Sequence, residues 1–195
     1  MLSPGARMLD EALSLARRGV PVFPLHTPTG DGCSCARPGE GKDCGRNRGK
    51  HPRTSHGVLD ATTDPHQVSE WWGQWPDANL GIATGRTYWV LDLDLGTPAG
   101  PWLYQMMQAH GELPRTRFAR TGSGGRHWYW RLDLAFLARH DLELPSRNAA
   151  NGLHGRDVKA AGGYVVAPPS LHRSGERYEW LDDRPCVDAP EWLLL

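Results

Sequence analysis

The 195-residue chain has no net charge to spare, since 22 lysines and arginines stand against 22 aspartates and glutamates. A whole-molecule field that draws in polyanions is excluded, so any grip on nucleic acid has to come from a local patch. Long apolar runs are missing as well, which excludes a membrane-spanning helix. Met1 to Leu9 lacks the basic start and apolar stretch of a secretory leader, so the expected compartment is the cytoplasm. Cysteines number only four, and in a reducing compartment they are expected as thiols or metal ligands rather than disulfides. Apolar residues make up a low 39%, but nine tryptophans exclude a disordered chain.

What is present falls into helices early and strands clustered around turns. Gly5 to Arg18 has helical spacing, with Leu9, Ala12, Leu13 and Ala16 on one stripe, and Gly19 stops it. Val20 to Leu25 reads as a short strand that its prolines confine to an edge. Asp64 and Pro65 form an N-cap and first helical position for a helix to about Trp75. Trp71, Trp72 and Trp75 on that helix read as core packing. "NLGIATG" and the strand after it read as a hairpin. A helix follows from about Pro98 to His110, with Trp102, Leu103, Met106 and Met107 inward. "TRFART" and "RHWYWRL" are strands joined by a Gly-Ser-Gly-Gly turn, and "GRDVKAAGGYVVAPPS" holds two more. "RYEW" is a last strand and "APEWLLL" begins a helix. The expected fold is α+β, a mixed sheet flanked by helices, with residues 1–195 as one domain.

The stretch "YWVLDLDLG" puts two carboxylates inside an otherwise apolar strand. With a period of two, Trp89, Leu91, Leu93 and Leu95 share a face suited to a core, while Asp92 and Asp94 share the other, roughly 7 Å apart. Like charges that close, on a partly covered sheet, disfavour each other's ionisation. A divalent cation reverses that cost, because carboxylate oxygens are preferred ligands of Mg2+ and Mn2+. A strand whose polar face simply meets water would carry the same pattern.

Residues 26–57 have no apolar periodicity, and a loop of that length needs a reason. "CSCARPGEGKDCGRNRGKH" supplies one: Cys33, Cys35, Cys44 and His51 make a closed tetrahedral zinc set, whose binding energy orders a loop too polar to fold by burial. His56 and His26 are alternatives for the fourth ligand. From Arg37 to His56 the loop carries Arg37, Lys42, Arg46, Arg48, Lys50 and Arg53 against Glu40 and Asp43. That is the local basic patch which the overall charge lacks. Arg115, Arg117 and Arg120 form a further basic stripe that faces either phosphate or water. Cys186 stands alone and reads as a half-buried thiol.

Taken in order, "GKHP", "NLGIATG", the aspartate strand, "TGSGGRHWYW", "GRDVKAAGGYVVAPPS" and "PEWLL" resemble the N-terminal domain of bifunctional DNA primase/polymerases, in the archaeo-eukaryotic primase superfamily. The resemblance covers about Ala6 to Leu195. It implies a primase-polymerase, RRM-like catalytic core with the 26–57 zinc-binding loop as an insertion. It also implies template-directed nucleotidyl transfer by a two-metal mechanism, making primers or DNA from (d)NTPs on a single-stranded DNA template. By the same resemblance Asp92, Asp94 and Asp157 are the Mg2+ or Mn2+ ligands, with His127 beside them. Ser123, Gly124, Gly125 and His127 hold the nucleotide's phosphates; Lys159, on the face of Asp157, neutralises phosphate charge; and Lys50 matches a recurrent family lysine. Structural Zn2+ is the usual expectation where the cysteine loop occurs, and the resemblance adds a helicase, in the same or another chain, to the expected partners. The rival readings are a non-catalytic nucleic-acid-binding module, or another D-x-D metal enzyme such as a nuclease or a sugar-nucleotide transferase. The Ser-Gly-Gly-x-His turn favours the polymerase.

Overall fold

The computed structural model describes residues 4–30, 32–35 and 44–194. In chain order its elements are α1 (Pro4–Arg17), β1 (Val22–Leu25), β2 (Pro28–Thr29), β3 (Gly32–Cys33), α2 (Pro65–Gln74), β4 (Asn79–Ala83), β5 (Tyr88–Leu93) and α3 (Ala99–His110). They continue with β6 (Phe118–Arg120), β7 (Arg126–Arg131), α4 (Leu134–Arg139), β8 (Arg156–Lys159), β9 (Tyr164–Ala167) and β10 (Glu179–Asp182). Arg37, Glu40, Lys42 and Asp43 of the basic loop lie outside the described residues. The elements gather into two compact units, one made of the chain up to Ala83 together with Tyr164–Glu179, the other of Thr84–Gly163 and Trp180–Leu195.

The first unit is built on an antiparallel sheet in the order β1-β4-β9. All five residues of β4 are buried, as a central strand covered on both faces demands. Gly81 is there because a Cβ would stand 2.8 Å from the Phe23 ring. Phe23, Leu25, Ala61, Ala83, Val166 and Tyr178 form its core. Asp64 caps α2 by accepting from the His66 N–H at 2.9 Å, with Pro65 at the first helical position, as the sequence indicates. Trp72 is buried and its indole donates to the Ala78 carbonyl, so this aromatic group packs rather than stacks on a ligand. In α1 the most buried residues are Met8, Ala12, Leu15 and Ala16, one position round from the expected stripe, with Leu9 and Leu13 at its margin.

The second unit carries a five-stranded sheet in the order β10-β6-β7-β5-β8, which β10 enters at Trp180. One face packs Trp89, Leu91, Leu93, Trp130, Val158 and Ala160 against Ala99 and Leu103 of α3. That helix ends at Gly111, whose φ of +90° suits glycine.

Four expectations are corrected. Every strand pair whose register is described is antiparallel, and the described strands fall into three sheets instead of the single mixed one. β4 and β5 do not pair. The Thr84 hydroxyl donates to the Ala160 carbonyl, and Gly85 (φ +82°) turns tightly against Ala161, so the chain leaves one sheet and starts another. Leu95 is exposed because the ladder ends at Leu93. The C-terminal helix is only a 3-10 turn, Glu191–Leu193. Helix α4, begun by Asp133 accepting from the Phe136 N–H, went unread in the sequence.

Candidate active site and metal centre

Period-two alternation sends the core residues of β5 to one face and Asp92 to the other. Register then decides what stands beside it. Asp92 faces His127 of β7 on one side and Asp157 of β8 on the other, so the three side chains form a row across β8, β5 and β7. The Asp92 Oδ1 lies 3.4 Å from His127 Nε2. His127 is 4% exposed, and the two aspartates are half-buried. Lys159, two residues along β8, sits on the same face, its ammonium 2.9 Å from Asp157 Oδ2 and bonded to Asn148 Oδ1. Asp157 Oδ1 accepts from the Ala149 N–H at 2.8 Å.

Asp94 follows the last residue of β5 and is exposed. Its backbone is pinned: its N–H donates to the Gly155 carbonyl at 2.8 Å, and the Thr97 hydroxyl donates to its carbonyl at 2.6 Å. Gly155 (φ +81°) is forced, since a Cβ would meet Thr97 Oγ1 at 1.9 Å. Thr97 and Gly155 therefore fix the backbone at Asp94, a constraint that the sequence reading missed. A threonine three residues after Asp94 and a glycine two before Asp157 are the signals that point to them.

The Gly-Ser-Gly-Gly turn closes β6 onto β7. Thr121 N–H donates to the Gly125 carbonyl and Gly124 N–H to the Thr121 carbonyl, both at 3.0 Å. The Gly124 N–H is thus spent inside the turn instead of lining it for a phosphate. Ser123 stays exposed at the tip, 3.1 Å from the Thr121 hydroxyl. Arg126, not singled out from sequence, donates to the carbonyls of Gly124 and Gly125 and brings positive charge to the turn. A Cβ on Gly125 would stand 3.0 Å from Asp94 Oδ1, so this turn passes directly beside the second carboxylate.

The donor set of this face is chemically right for a hard divalent cation: carboxylate oxygens, of which Asp157 uses only part of its acceptor capacity on Ala149 and Lys159. Its carboxylates are less closely gathered than a second cluster. Among the described residues, Cys33, Cys35, Cys44 and His51 alone form a group of three or more such donors with all ligand atoms within 4.8 Å of one another. Cys33 Sγ lies 3.2 Å from His51 Nε2 and Cys35 Sγ 3.2 Å from Cys44 Sγ. Burial pushes the Cys35 thiol up to about 12, and the neighbouring Cys44 and Cys33 groups add to the shift. Burial also opposes ionisation of Cys33, but backbone N–H donors from Cys35 and Gly49 outweigh it and hold that thiol below its ordinary value. A thiolate set packed this closely suits a soft-accepting ion, and three sulfurs with one imidazole fit zinc. None of the four cysteines is in a disulfide, and Cys186 is half-buried as expected.

Of the three candidate histidines, His51 is the one grouped with the cysteines. His26 lies against it with the rings tilted and their centroids 4.5 Å apart, and bonds Ser34 Oγ, while His56 pairs with Asp60. Arg53 is not a free grip on a ligand: it donates to the Leu25 carbonyl and Ser34 Oγ, pairs with Asp77 and lies over the Trp75 ring. Arg117 is likewise buried, donating to the Asp183 carbonyl and stacked on Trp180, so the basic stripe of which it was part faces neither phosphate nor water there. Lys50 belongs to the first unit, its carbonyl accepting from the Tyr164 hydroxyl at 3.0 Å.

Residues 12–192, nearly the whole chain, match the family described as bifunctional DNA primase/polymerase, N-terminal. The chain belongs to that family. No curated protein matches it. Membership carries DNA primase/polymerase activity in general terms, a nucleotidyltransferase chemistry whose substrates are DNA and nucleotides. Among the described residues no helix is long and apolar enough to cross a membrane.

Proposed function

We propose that the chain joins nucleotides on a DNA template, with the Asp157–Asp92–His127 row and Asp94 as its catalytic face and residues 1–195 as one catalytic domain. The observation that carries this reading is the register of β5, which sets Asp92 opposite His127 and Asp157 at once. Divalent cations bound by Asp92, Asp94 and Asp157 would activate the attacking 3′-hydroxyl and stabilise the leaving pyrophosphate. The residues' own parts follow from their positions. His127, buried against Asp92, keeps that carboxylate oriented and offers a donor to the triphosphate. Lys159 flanks the face and offsets the charge that develops on phosphate oxygens. Ser123, exposed at the turn beside Asp94, donates its hydroxyl to a phosphate, and Gly125 keeps the turn close enough for it to do so. The thiol–imidazole cluster holds zinc as a structural ion that fixes residues 26–57.

The test is incorporation of labelled nucleotides on primed and unprimed single-stranded DNA, with Mg2+ and Mn2+ in turn. Asp92→Asn and Asp157→Asn are each expected to reduce incorporation to background while the protein stays folded and keeps its zinc. Incorporation at the wild-type rate by either variant would refute the assigned roles.

A further inference from the structure

Helix α4 spans only six residues, too short to hold its shape by its own hydrogen bonds, and none of its side chains is buried. Both ends are nevertheless fixed. Asp133 caps the start by accepting from the Phe136 N–H at 2.9 Å. At the other end the Leu142 N–H donates to the Leu137 carbonyl at 2.9 Å and the Asp141 N–H to the Ala138 carbonyl at 3.3 Å, the two bonds of a Schellman stop. Asp141 has φ +51°, and aspartate is among the few residues besides glycine that take this conformation. Caps, rather than burial of its apolar residues, keep this helix in place.

Those apolar residues line open space instead. A cavity of about 180 Å³ is walled in part by Trp89, Phe136, Leu144 and Leu194, and a second of about 530 Å³ by Leu134, Leu142, Pro145 and Ala161. Leu132, Leu137 and Leu144 line both, so the two are neighbouring parts of one trough along α4. Leu134, at its margin, is 65% exposed.

The charged groups of the trough are nearly all of one sign. Asp133, Asp188 and Glu191 line the smaller cavity and Glu143 the larger, against the single guanidinium of Arg131. Arg131 is already engaged by Asp188: its Nε donates to Oδ1 at 2.7 Å and a second N–H donates to Oδ2. Glu143 and Glu191 are exposed, so the rim keeps a net negative charge. Arg139, at the end of α4, lines neither cavity. An acidic rim repels a phosphate backbone, which excludes nucleic acid as the occupant. It suits an amphipathic helix whose apolar side chains, at i, i+3, i+4 and i+7, fill the trough while its lysines and arginines meet the carboxylates.

We propose that the α4 trough of the second unit is a protein-docking surface whose occupant is a basic amphipathic helix of a partner protein. The cavities desolvate the partner's leucine-like anchors, and the rim carboxylates select its charge. The trough shares no residue with the Asp157–Asp92–His127 row, so docking is independent of nucleotide incorporation.

The experiment is a fluorescence-anisotropy titration of the full chain against three labelled synthetic peptides, each about four helical turns long. One has leucine and lysine arranged to give an apolar stripe, one has the same composition in scrambled order, and one has glutamate in place of lysine. The leucine–lysine helix is expected to bind about tenfold or more tighter than either of the others. Leu134→Ser changes an exposed side chain, so the fold is kept, and should weaken that binding about tenfold. Glu143→Lys and Glu191→Lys should each weaken it about two- to fivefold and flatten its salt dependence. Unchanged binding by Leu134→Ser and Glu143→Lys proteins with wild-type melting curves places the helix elsewhere and overturns the proposal. Equal or tighter binding of the scrambled or glutamate peptide overturns it too. Self-association of the chain that Leu134→Ser abolishes, with no binding of the leucine–lysine helix, gives the trough to a second copy and likewise overturns it.

Discussion

Gly125→Ala should separate the catalytic face from the fold that carries it. A Cβ at this position would stand 2.7 Å from the Leu93 carbonyl oxygen, 3.0 Å from Asp94 Oδ1 and 3.1 Å from Thr121 Oγ1. The closest of these is backbone at the end of β5, so no flexible side chain can swing away. Restoring an ordinary contact of 3.4 Å requires about 0.7 Å of movement between the turn and β5. Overpacking of this kind costs about 1–3 kcal/mol, which in a protein of this size lowers the melting temperature by about 2–4 °C per kcal/mol. The functional loss should be larger in proportion. A reacting group displaced by a fraction of an ångström to an ångström loses up to about 100-fold in rate, and Asp94 is the group displaced. Gly124→Ala is the matched control. Gly124 has φ +92° and nothing within 4 Å of an added Cβ, so the substitution carries a conformational cost of about 1 kcal/mol without pushing on Asp94. Nucleotide incorporation and thermal melting, measured on both variants, should show similar modest destabilisation but a large loss of rate only for Gly125→Ala. Equal rates for the two variants, or a wild-type rate for Gly125→Ala, would refute the placement of this turn at the reacting centre.

Elemental analysis should find about one zinc per chain, and Cys35→Ser should lose that metal and melt earlier; a metal-free protein with an unchanged melting curve would remove zinc from the account. Burial keeps His172 neutral in the fold, with a pKa lowered to about 4 from 6.5, so the unfolded chain binds its proton first as pH falls. Its contribution is therefore fully present above pH 6.5 and is lost between about 6.5 and 4, and His172→Phe should flatten that part of the stability-versus-pH curve relative to wild type. A denaturation midpoint that falls as steeply in the variant would contradict the burial argument. Asn79→Ala removes three hydrogen bonds made by a buried side chain to Gly49 and Leu171 and should cost about 3 kcal/mol in denaturant unfolding, against a negligible change if those bonds are only incidental.

The sequence made the local pieces legible wherever one residue type does one job. Asp64 with Pro65 announces the start of α2, and Gly111 marks the end of α3. The alternation in "YWVLDLDLG" sorts core from carboxylate correctly up to Leu93. Cysteine and histidine spacing found the thiol cluster, because few other arrangements use those residues in a polar loop. Connections between elements were less legible. A glycine turn between two apolar runs reads as a hairpin whether the second run folds back on the first or begins another sheet, and only the Thr84 and Gly85 contacts decide it. Residues acting through the backbone were also silent. Asn79 gives no periodic signal, yet it fixes where Lys50 and His172 stand, while Arg53 and Arg117 look like surface charge and are tied up internally.

The row of Asp157, Asp92 and His127 is not an independent invention laid over the core; the core produces it. Leu91 stands opposite Trp128 on one side and Val158 on the other, one register step from Asp92 with its partners His127 and Asp157. Slipping β8 by a single residue would bring Asp157 onto the apolar face and Val158 among the carboxylates, inverting every side chain of the strand. Burial of Val158 and Ala160 with Leu91, Leu93 and Ala99 resists that slip, because a carboxylate in their place would be desolvated without a partner. Each apolar contact on the hidden face thus also fixes the spacing of charges on the exposed one. The hydrophobic pattern thus sets the register that lines up three strands distant in sequence, and the bonds to Asp157 and to the Asp94 backbone then hold individual carboxylates within that register.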